Sequence, residues 1–151
     1  NMKQIRFTKE GFEKAQQECE ELKKQRPAAI ENLKKSRELG DLKENGYYQA
    51  SRRKLSHIDG RLFNLKMSMK YAVIIKTTTA GRVSIGNQVT LANKKKEITY
   101  TIVGDFEANP SEGKISLLSP LGRAINGKKI GEEVAFETPR GKIVYKIIAI
   151  K

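Results

Sequence analysis

The sequence predicts an α+β fold in two parts, an N-terminal antiparallel coiled-coil hairpin of two long helices and a small C-terminal antiparallel β domain with one short helix. Three observations support this prediction. Residues at a strict 3,4 spacing form stripes through the first half, a short turn with glycine joins the stripes near residues 40–45, and an alternating pattern replaces the spacing after Lys76. We therefore assign residues 1–76 to the coiled coil and residues 77–151 to the β domain.

The first helix is predicted to begin near Thr8 and to end near Leu39. Thr8 is a good N-cap, and Glu10 follows in the first turn, where the helix dipole favours an acidic side chain. A proline inside a helix costs about 3 kcal/mol. The stripe continues across Pro27 nevertheless, so we expect a bend there rather than an end. Gly40 then supplies the C-terminal stop.

The second helix is predicted from about Leu42 to about Val73. The stripe of the first helix comprises Phe12, Ala15, Cys19, Leu22, Arg26, Ala29, Leu33 and Ser36, and that of the second comprises Tyr48, Ser51, Leu55, Ile58, Leu62, Leu65, Met69 and Ala72. Each stripe can be buried only against the other, which predicts an antiparallel pair. About 30 residues per arm would give a rod on the order of 45 Å long.

The second half alternates apolar and polar residues in short runs, as β-strands do. The predicted strands are Val83–Ile85, Gln88–Leu91, Glu97–Val103, Lys114–Leu118, Val134–Glu137 and Ile143–Ile148. Asn93-Lys94 and Pro139-Arg140-Gly141 supply two hairpin turns. Ser119-Pro120 before an apolar run predicts a short capped helix.

Composition excludes several classes of protein. One cysteine cannot form an internal disulfide, and no apolar run approaches the length of a membrane span, so we expect a cytoplasmic protein without a membrane partner. The net charge of +13 attracts polyanions. A merely solvated basic surface explains the charge equally well, so charge alone does not identify a nucleic-acid-binding protein.

The turn Gly40–Asn45 carries two carboxylates, Asp41 and Glu44, at the joint between the helices. The predicted rod would hold them at its far end. An alternative interpretation is a capping box, in which an Asp-x-x-Glu pair at a helix start satisfies backbone N–H groups. The two interpretations do not exclude each other.

Gly40-Asp41-Leu42-Lys43-Glu44-Asn45 at the tip of an N-terminal hairpin resembles the GreA type of bacterial transcript-cleavage factor. Motifs of the second half continue the resemblance, and they are Val103–Ala108, Gly113–Ser116, Ser119–Ala124, Gly127-Lys128 and Thr138–Gly141. The likeness extends from Met2 to Lys151 in one register, and the tip motif is independent of the C-terminal motifs.

The resemblance implies a transcription elongation factor with bacterial RNA polymerase as its partner. Members of the family dock on the polymerase by a C-terminal domain with an FKBP-like fold, and their coiled coil enters the secondary channel. The tip carboxylates then arrive beside the catalytic metal of the polymerase. Backtracked nascent RNA, whose 3′ end occupies the channel, is cleaved there and synthesis resumes.

By the same resemblance, Asp41 and Glu44 are the residues that assist cleavage. Two-metal hydrolysis needs one ion at the attacking oxygen and another at the leaving oxygen, and Mg²⁺ prefers hard oxygen ligands. We expect Asp41 to bind the second Mg²⁺, which would be shared with the polymerase and not held by the isolated protein. Glu44 would position the attacking water. The chain would supply part of an active site and would not be an enzyme by itself.

Two further groups of residues each have a functional and a structural interpretation. Ser119, Pro120 and Arg123 match the polymerase-docking segment of the family, although a capped helix start explains them equally well. Tyr47, Arg52 and Arg53 could contact RNA or the channel wall, with a solvent-exposed helix face as the alternative.

Three other functions compete with transcript cleavage. A Gre-like protein could occupy the channel and inhibit transcription, a prolyl isomerase is suggested only by the FKBP-like fold, and a basic coiled coil could bind nucleic acid by charge alone. Members of the family usually carry acidic residues near the positions of Arg52–Lys54 and Lys94–Lys96. This departure bears on the strength and salt dependence of docking.

Overall fold

The computed structural model describes residues 3–40, 45–78 and 80–151. Its helices are α1 (Lys9–Arg37), α2 (Gly46–Lys70) and α3 (Pro120–Ile125). Its strands are β1 (Ile5–Phe7), β2 (Ala72–Ile74), β3 (Gln88–Ala92), β4 (Glu97–Val103), β5 (Lys114–Ser116), β6 (Glu133–Thr138) and β7 (Gly141–Ile150). The predicted α+β fold class is confirmed.

The chain divides into two compact units. The helical unit is Glu13–Tyr71, and the sheet unit contains Ala72–Lys151 together with the N-terminal residues up to Phe12. Within the described ranges, no helix is long and apolar enough to cross a membrane.

All positions of the two predicted stripes lie on α1 and α2 except Ala72, which belongs to β2. The most deeply buried side chains of the helical unit all belong to them, and they are Ala15, Cys19, Ala29, Ser36, Ile58, Leu62 and Leu65. The other stripe positions are partly buried, with the exception of the exposed Arg26. The 3,4 spacing therefore identified the packed face of each helix correctly.

Polar contacts between α1 and α2 show how the helices run. Arg26 Nε donates to Asp59 Oδ1 at 2.6 Å, and Arg61 Nε lies 2.8 Å from Glu18 Oε2. Asn45 Nδ2 donates to the Ser36 carbonyl at 2.9 Å. As the residue number increases along α1, the residue number of the α2 partner decreases, so the pair is antiparallel. Arg26 is exposed because its guanidinium reaches across the surface to Asp59.

The main sheet has the strand order β5-β4-β3-β7-β6. Every neighbouring pair is antiparallel except β4 and β5, which are parallel. One face of the sheet packs beneath α3 and forms the core, whose most deeply buried residues are Val89, Leu91, Ile102, Ile125 and Ile147. Both predicted hairpin turns are confirmed, because β3 pairs with β4 across residues 93–96 and β6 pairs with β7 across Pro139-Arg140.

The predicted strand Val83–Ile85 is wrong. Val83 and Ile85 are buried in the core, but the segment makes a turn instead of a ladder. The side chain of Asn87 accepts hydrogen bonds from Ser84 N and Ser84 Oγ, both at 2.8 Å. A side chain that satisfies the backbone in this way competes with strand pairing.

Two strands were not predicted. β1 and β2 pair in parallel, with Ile5 opposite Ala72 and Phe7 opposite Ile74. Each has only three residues, too few for an alternating pattern. The second helix consequently ends at Lys70 rather than near Val73, because the following residues join the sheet unit.

The segment Gly104–Glu107 holds the N-terminal residues within the sheet unit. Arg6 donates from its backbone N and its guanidinium to Asp105, at 2.7 to 2.9 Å. Glu107 accepts from Thr8 N at 2.8 Å, from Thr8 Oγ1 at 2.5 Å and from Gly104 N at 3.1 Å. Thr8 Oγ1 in turn accepts from Gly11 N at 3.0 Å, so Thr8 is the predicted N-cap of α1.

Candidate functional site

A hydrogen bond connects the two long helices, and its two residues, Ser36 and Asn45, flank the acidic turn. Ser36, fully buried, ends the α1 stripe, and its Oγ donates to the Leu33 carbonyl at 2.7 Å. Asn45 Nδ2 donates to the Ser36 carbonyl, while Asn45 Oδ1 accepts from Tyr48 N at 3.1 Å. One amide side chain therefore joins the end of α1 to the start of α2.

Asn45 is the N-cap of α2, with extended backbone angles and helix beginning at Gly46. The prediction that this helix begins near Leu42 is therefore wrong. An asparagine whose side-chain oxygen accepts a hydrogen bond from the backbone N–H three residues later is a favourable N-cap. Sequence reasoning missed Asn45, although asparagine directly before a helical stripe is a recognised N-cap signal.

The predicted carboxylates Asp41 and Glu44 lie outside the described residues. Their assignments as magnesium ligand and water-positioning group stay predictions. Elsewhere in the described parts of the chain, no group of three or more His, Cys, Asp or Glu side chains could hold a metal ion. Gly40, the last described residue before the acidic pair, has φ of +117°, a backbone conformation that favours glycine.

The aromatic and basic residues beyond the turn lie at the start of α2. Tyr47 is 45% exposed, and its hydroxyl is 3.5 Å from Asn32 Oδ1. Tyr48 is partly buried, as its stripe position predicted. Arg52 and Arg53 are exposed and form no ion pair with any described residue. Their side chains are available to a partner, although contact with RNA stays a prediction.

The cross-helix ion pair changes the titration of one acid. A hydrogen bond from the Arg26 guanidinium holds the pKa of the Asp59 carboxyl below its usual value. Partial desolvation opposes this effect, and the positive charge of Arg26 adds to it.

The three predicted docking residues lie at the start of α3. Ser119 Oγ accepts from Gly122 N at 3.0 Å and donates to the Ser116 carbonyl at 2.8 Å, so Ser119 is the N-cap. Pro120 occupies the first turn and is exposed, as is Arg123. A Cβ at Gly122 would come within 2.0 Å of the Ser116 carbonyl oxygen. Ser119 and Gly122 are thus required by the local structure, while Pro120 and Arg123 are exposed to solvent.

Known proteins match the whole chain. The family described as "Transcription elongation factor, N-terminal" matches residues 5–74, and that described as "Transcription elongation factor, GreA/GreB, C-term" matches residues 77–151. Transcription elongation factor GreA of Geobacillus kaustophilus is 41% identical, covering 100% of this chain and 99% of the relative. GreA of Neorickettsia sennetsu is 38% identical, covering 99% and 98%.

Solved structures also match. The GreA factor homolog 1 (Gfh1) protein of Thermus thermophilus is 25% identical, with 99% of each chain covered and a TM-score of 0.47. The two family matches together extend over nearly the whole sequence, and the two GreA relatives are 38% and 41% identical over 98% and 99% of their own length. The chain therefore belongs to the GreA/GreB family of transcription elongation factors.

Proposed function

We propose that this protein acts on RNA polymerase and stimulates the polymerase's own cleavage of backtracked nascent RNA. The observation that carries the proposal is the family membership of the whole chain together with an acidic turn between two paired helices. In this proposal the paired helices enter the secondary channel, and cleavage rescues arrested elongation complexes.

The helical unit supports this role. Its helices are packed along both stripes and are linked across the acidic turn by Asn45. Ser36 and Asn45, which come before and after the acidic pair in the sequence, are therefore bonded to each other. A packed and tied pair of helices suits a function in which a side chain must be delivered to another molecule with little positional freedom.

Asp41 and Glu44 would hold a Mg²⁺ ion jointly with the polymerase. Carboxylate oxygens are the hard ligands that this ion prefers, and one or two protein carboxylates with waters commonly suffice. When bound at a phosphodiester, a second metal ion stabilises charge on the attacking and leaving oxygens. Asp41 is assigned to ion binding and Glu44 to orienting the attacking water. The protein supplies part of a site and does not act as an enzyme alone.

The sheet unit would provide the docking contact. Pro120 and Arg123 are exposed beside the cap that Ser119 makes, so a partner can reach them without unfolding α3. Tyr47, Arg52 and Arg53 are exposed at the start of α2, where they could contact RNA or the channel wall.

The test uses elongation complexes that have been stalled and backtracked with the cognate polymerase. We expect the wild-type protein to release short 3′ RNA fragments at many times the intrinsic rate. The double variant Asp41→Asn, Glu44→Gln should leave cleavage at the intrinsic rate. A matched control, Glu13→Gln with Glu31→Gln, removes two exposed carboxylates from α1 and should cleave like wild type.

Equal fragment yields from wild type and the double variant would refute the role of the acidic pair. Unchanged cleavage together with slower nucleotide addition would instead identify an inhibitor that occupies the channel.

A further inference from the structure

A basic groove lies on the face of the main sheet that is turned away from α3. Along β7, Tyr145 and Ile147 point into the core, so Val144, Lys146 and Ile148 lie on the opposite face. The groove over this face has a volume of about 930 Å³ and extends to the loop between β3 and β4. It is separate from the predicted docking residues, which lie on α3.

Lysine dominates the charge of this groove. Five lysines and one acidic residue, Glu133, line it, an excess of four positive charges, and the lysines are Lys94, Lys95, Lys96, Lys142 and Lys146. None of the five forms an ion pair with a described residue. On the neighbouring strand Glu133 lies opposite Lys146 and Glu137 lies opposite Lys142, so the two β7 lysines are partly compensated. The excess positive charge of the groove therefore lies mainly on the loop lysines Lys94, Lys95 and Lys96.

The loop that carries three of these lysines is fixed by its own hydrogen bonds. Asn93 Oδ1 accepts from Lys95 N at 2.8 Å and from Lys96 N at 2.9 Å, and Asn93 N donates to the Lys96 carbonyl at 3.0 Å. Ala92, the residue before the loop, is paired with Lys146 of β7. These backbone contacts hold the loop lysines and Lys146 beside the same groove in the absence of a ligand.

We propose that this groove binds single-stranded nucleic acid. Lysine is depleted at protein–protein interfaces, whereas it is an ordinary contact of phosphate groups. Protein interfaces also depend on buried pockets that hold an anchoring side chain, and this groove is open. Its floor exposes Val144 and Ile148, at 46% and 40%, which would contact sugars and base faces between the phosphate contacts.

A single strand fits the groove better than a duplex. Protein elements enter the grooves of duplex DNA, so a duplex is read by a protruding surface rather than a concave one. Binding to a single strand in a charged groove is governed by counterion release, with a slope of log K against log salt of about −0.7 for each phosphate contacted. The proposal therefore predicts a steep dependence on salt.

The test is fluorescence anisotropy of the full chain with labelled 12-nucleotide single strands, one of RNA and one of DNA, at several salt concentrations. We expect the triple variant Lys94→Gln, Lys96→Gln, Lys146→Gln to bind at least about tenfold more weakly at low salt, with a salt slope smaller by about 2. Binding of either single strand by the wild-type protein, together with loss of that binding in the triple variant, would support the proposal.

A matched control removes the same charge from the helical unit. Lys24→Gln, Lys34→Gln and Lys66→Gln lie on exposed positions of α1 and α2, and this variant should bind nearly as wild type does. Equal weakening by both triple variants would overturn the proposal in favour of diffuse charge attraction. Circular dichroism of both variants verifies that each is folded.

Two competitors complete the design. A duplex of the same sequence, or a glutamate-rich peptide of equal charge, that displaces the single strand more effectively than unlabelled single strand would overturn the assignment. The measurement contains no polymerase, so its outcome is independent of the transcript-cleavage assay.

Discussion

At the scale of single residues, Asn45 makes two hydrogen bonds that neither an aspartate nor a serine could make together. Its amide has a donor for the Ser36 carbonyl and an acceptor for Tyr48 N. A carboxylate offers only acceptors and a hydroxyl is too short to reach both groups. The side chain therefore caps one helix and ties the other at the base of the acidic turn.

We predict that Asn45→Ala lowers the free energy of unfolding of the helical unit by about 1 kcal/mol or more, because both hydrogen bonds are lost. Asn45→Asp retains the capping oxygen and loses only the donor to Ser36, so it should cost less. Urea denaturation followed by the helical circular dichroism signal measures both. An alanine variant as stable as the aspartate variant would contradict a capping role.

At the scale of secondary-structure elements, α1 and α2 are joined by apolar stripes inside and by ion pairs at the edge. The stripes could be read from the 3,4 spacing because a helix repeats every 3.6 residues. The partners of Arg26 and Arg61 could not be read from the sequence, because many exposed acidic residues were available to each. Only the register of α1 against α2 selects Asp59 and Glu18.

The pair Arg26–Asp59 gives a prediction for pH. The pKa of Asp59 is lower in the folded protein than in the unfolded chain. Its stabilising contribution is therefore complete above the unfolded-state pKa of 3.8 and is lost as the pH falls through the lower folded-state value. Asp59→Asn should lower the melting temperature slightly at pH 7, because exposed pairs contribute little.

The difference in melting temperature between wild type and Asp59→Asn should shrink as the pH falls below 3.8 and should vanish once the pH is below the lower folded-state pKa. Thermal unfolding monitored by circular dichroism across this range measures it. Arg26→Gln serves as the matched variant, and the double variant should be no less stable than either single one. A difference that persists in acid would show that Asp59 acts through something other than its charge.

At the scale of the whole molecule, residues 99 positions apart are joined in the sheet unit. Glu107 accepts three hydrogen bonds from Thr8 and Gly104, and a Cβ at Gly11 would lie only 2.0 Å from its carboxyl carbon. Gly11 therefore permits the close approach of Glu107 to the first turn of α1. These contacts, with the pairing of β1 and β2, make the N-terminal residues part of the sheet unit.

We predict that Glu107→Ala lowers the free energy of unfolding of the sheet unit by about 1–3 kcal/mol, because the N–H groups of Thr8 and Gly104 lose their acceptor. Glu107→Gln should cost less, since one amide oxygen can still accept from both. Glu137→Ala, at an exposed position of β6, is the control and should be nearly neutral. Hydrogen exchange at the amides of Thr8 and Gly104 localises the effect, and unchanged protection there would contradict it.

The sequence by itself determined the helical pairing, most strands of the sheet, both hairpin turns and the family, because these depend on periodicity and on local turn and capping chemistry. It also marked Asp41 and Glu44, since an acidic pair in a glycine-bounded turn is visible as a motif. Only the tertiary structure decided that β1 and β2 pair, that Val83–Ile85 packs without forming a strand, and that five lysines line one groove. The β1–β2 pairing and the groove join residues far apart in the chain, and a local pattern carries no information about which distant segment will supply the partner. Val83–Ile85 has the alternation of a strand, and its turn depends on hydrogen bonds from Ser84 to the Asn87 side chain, which the apolar pattern does not show.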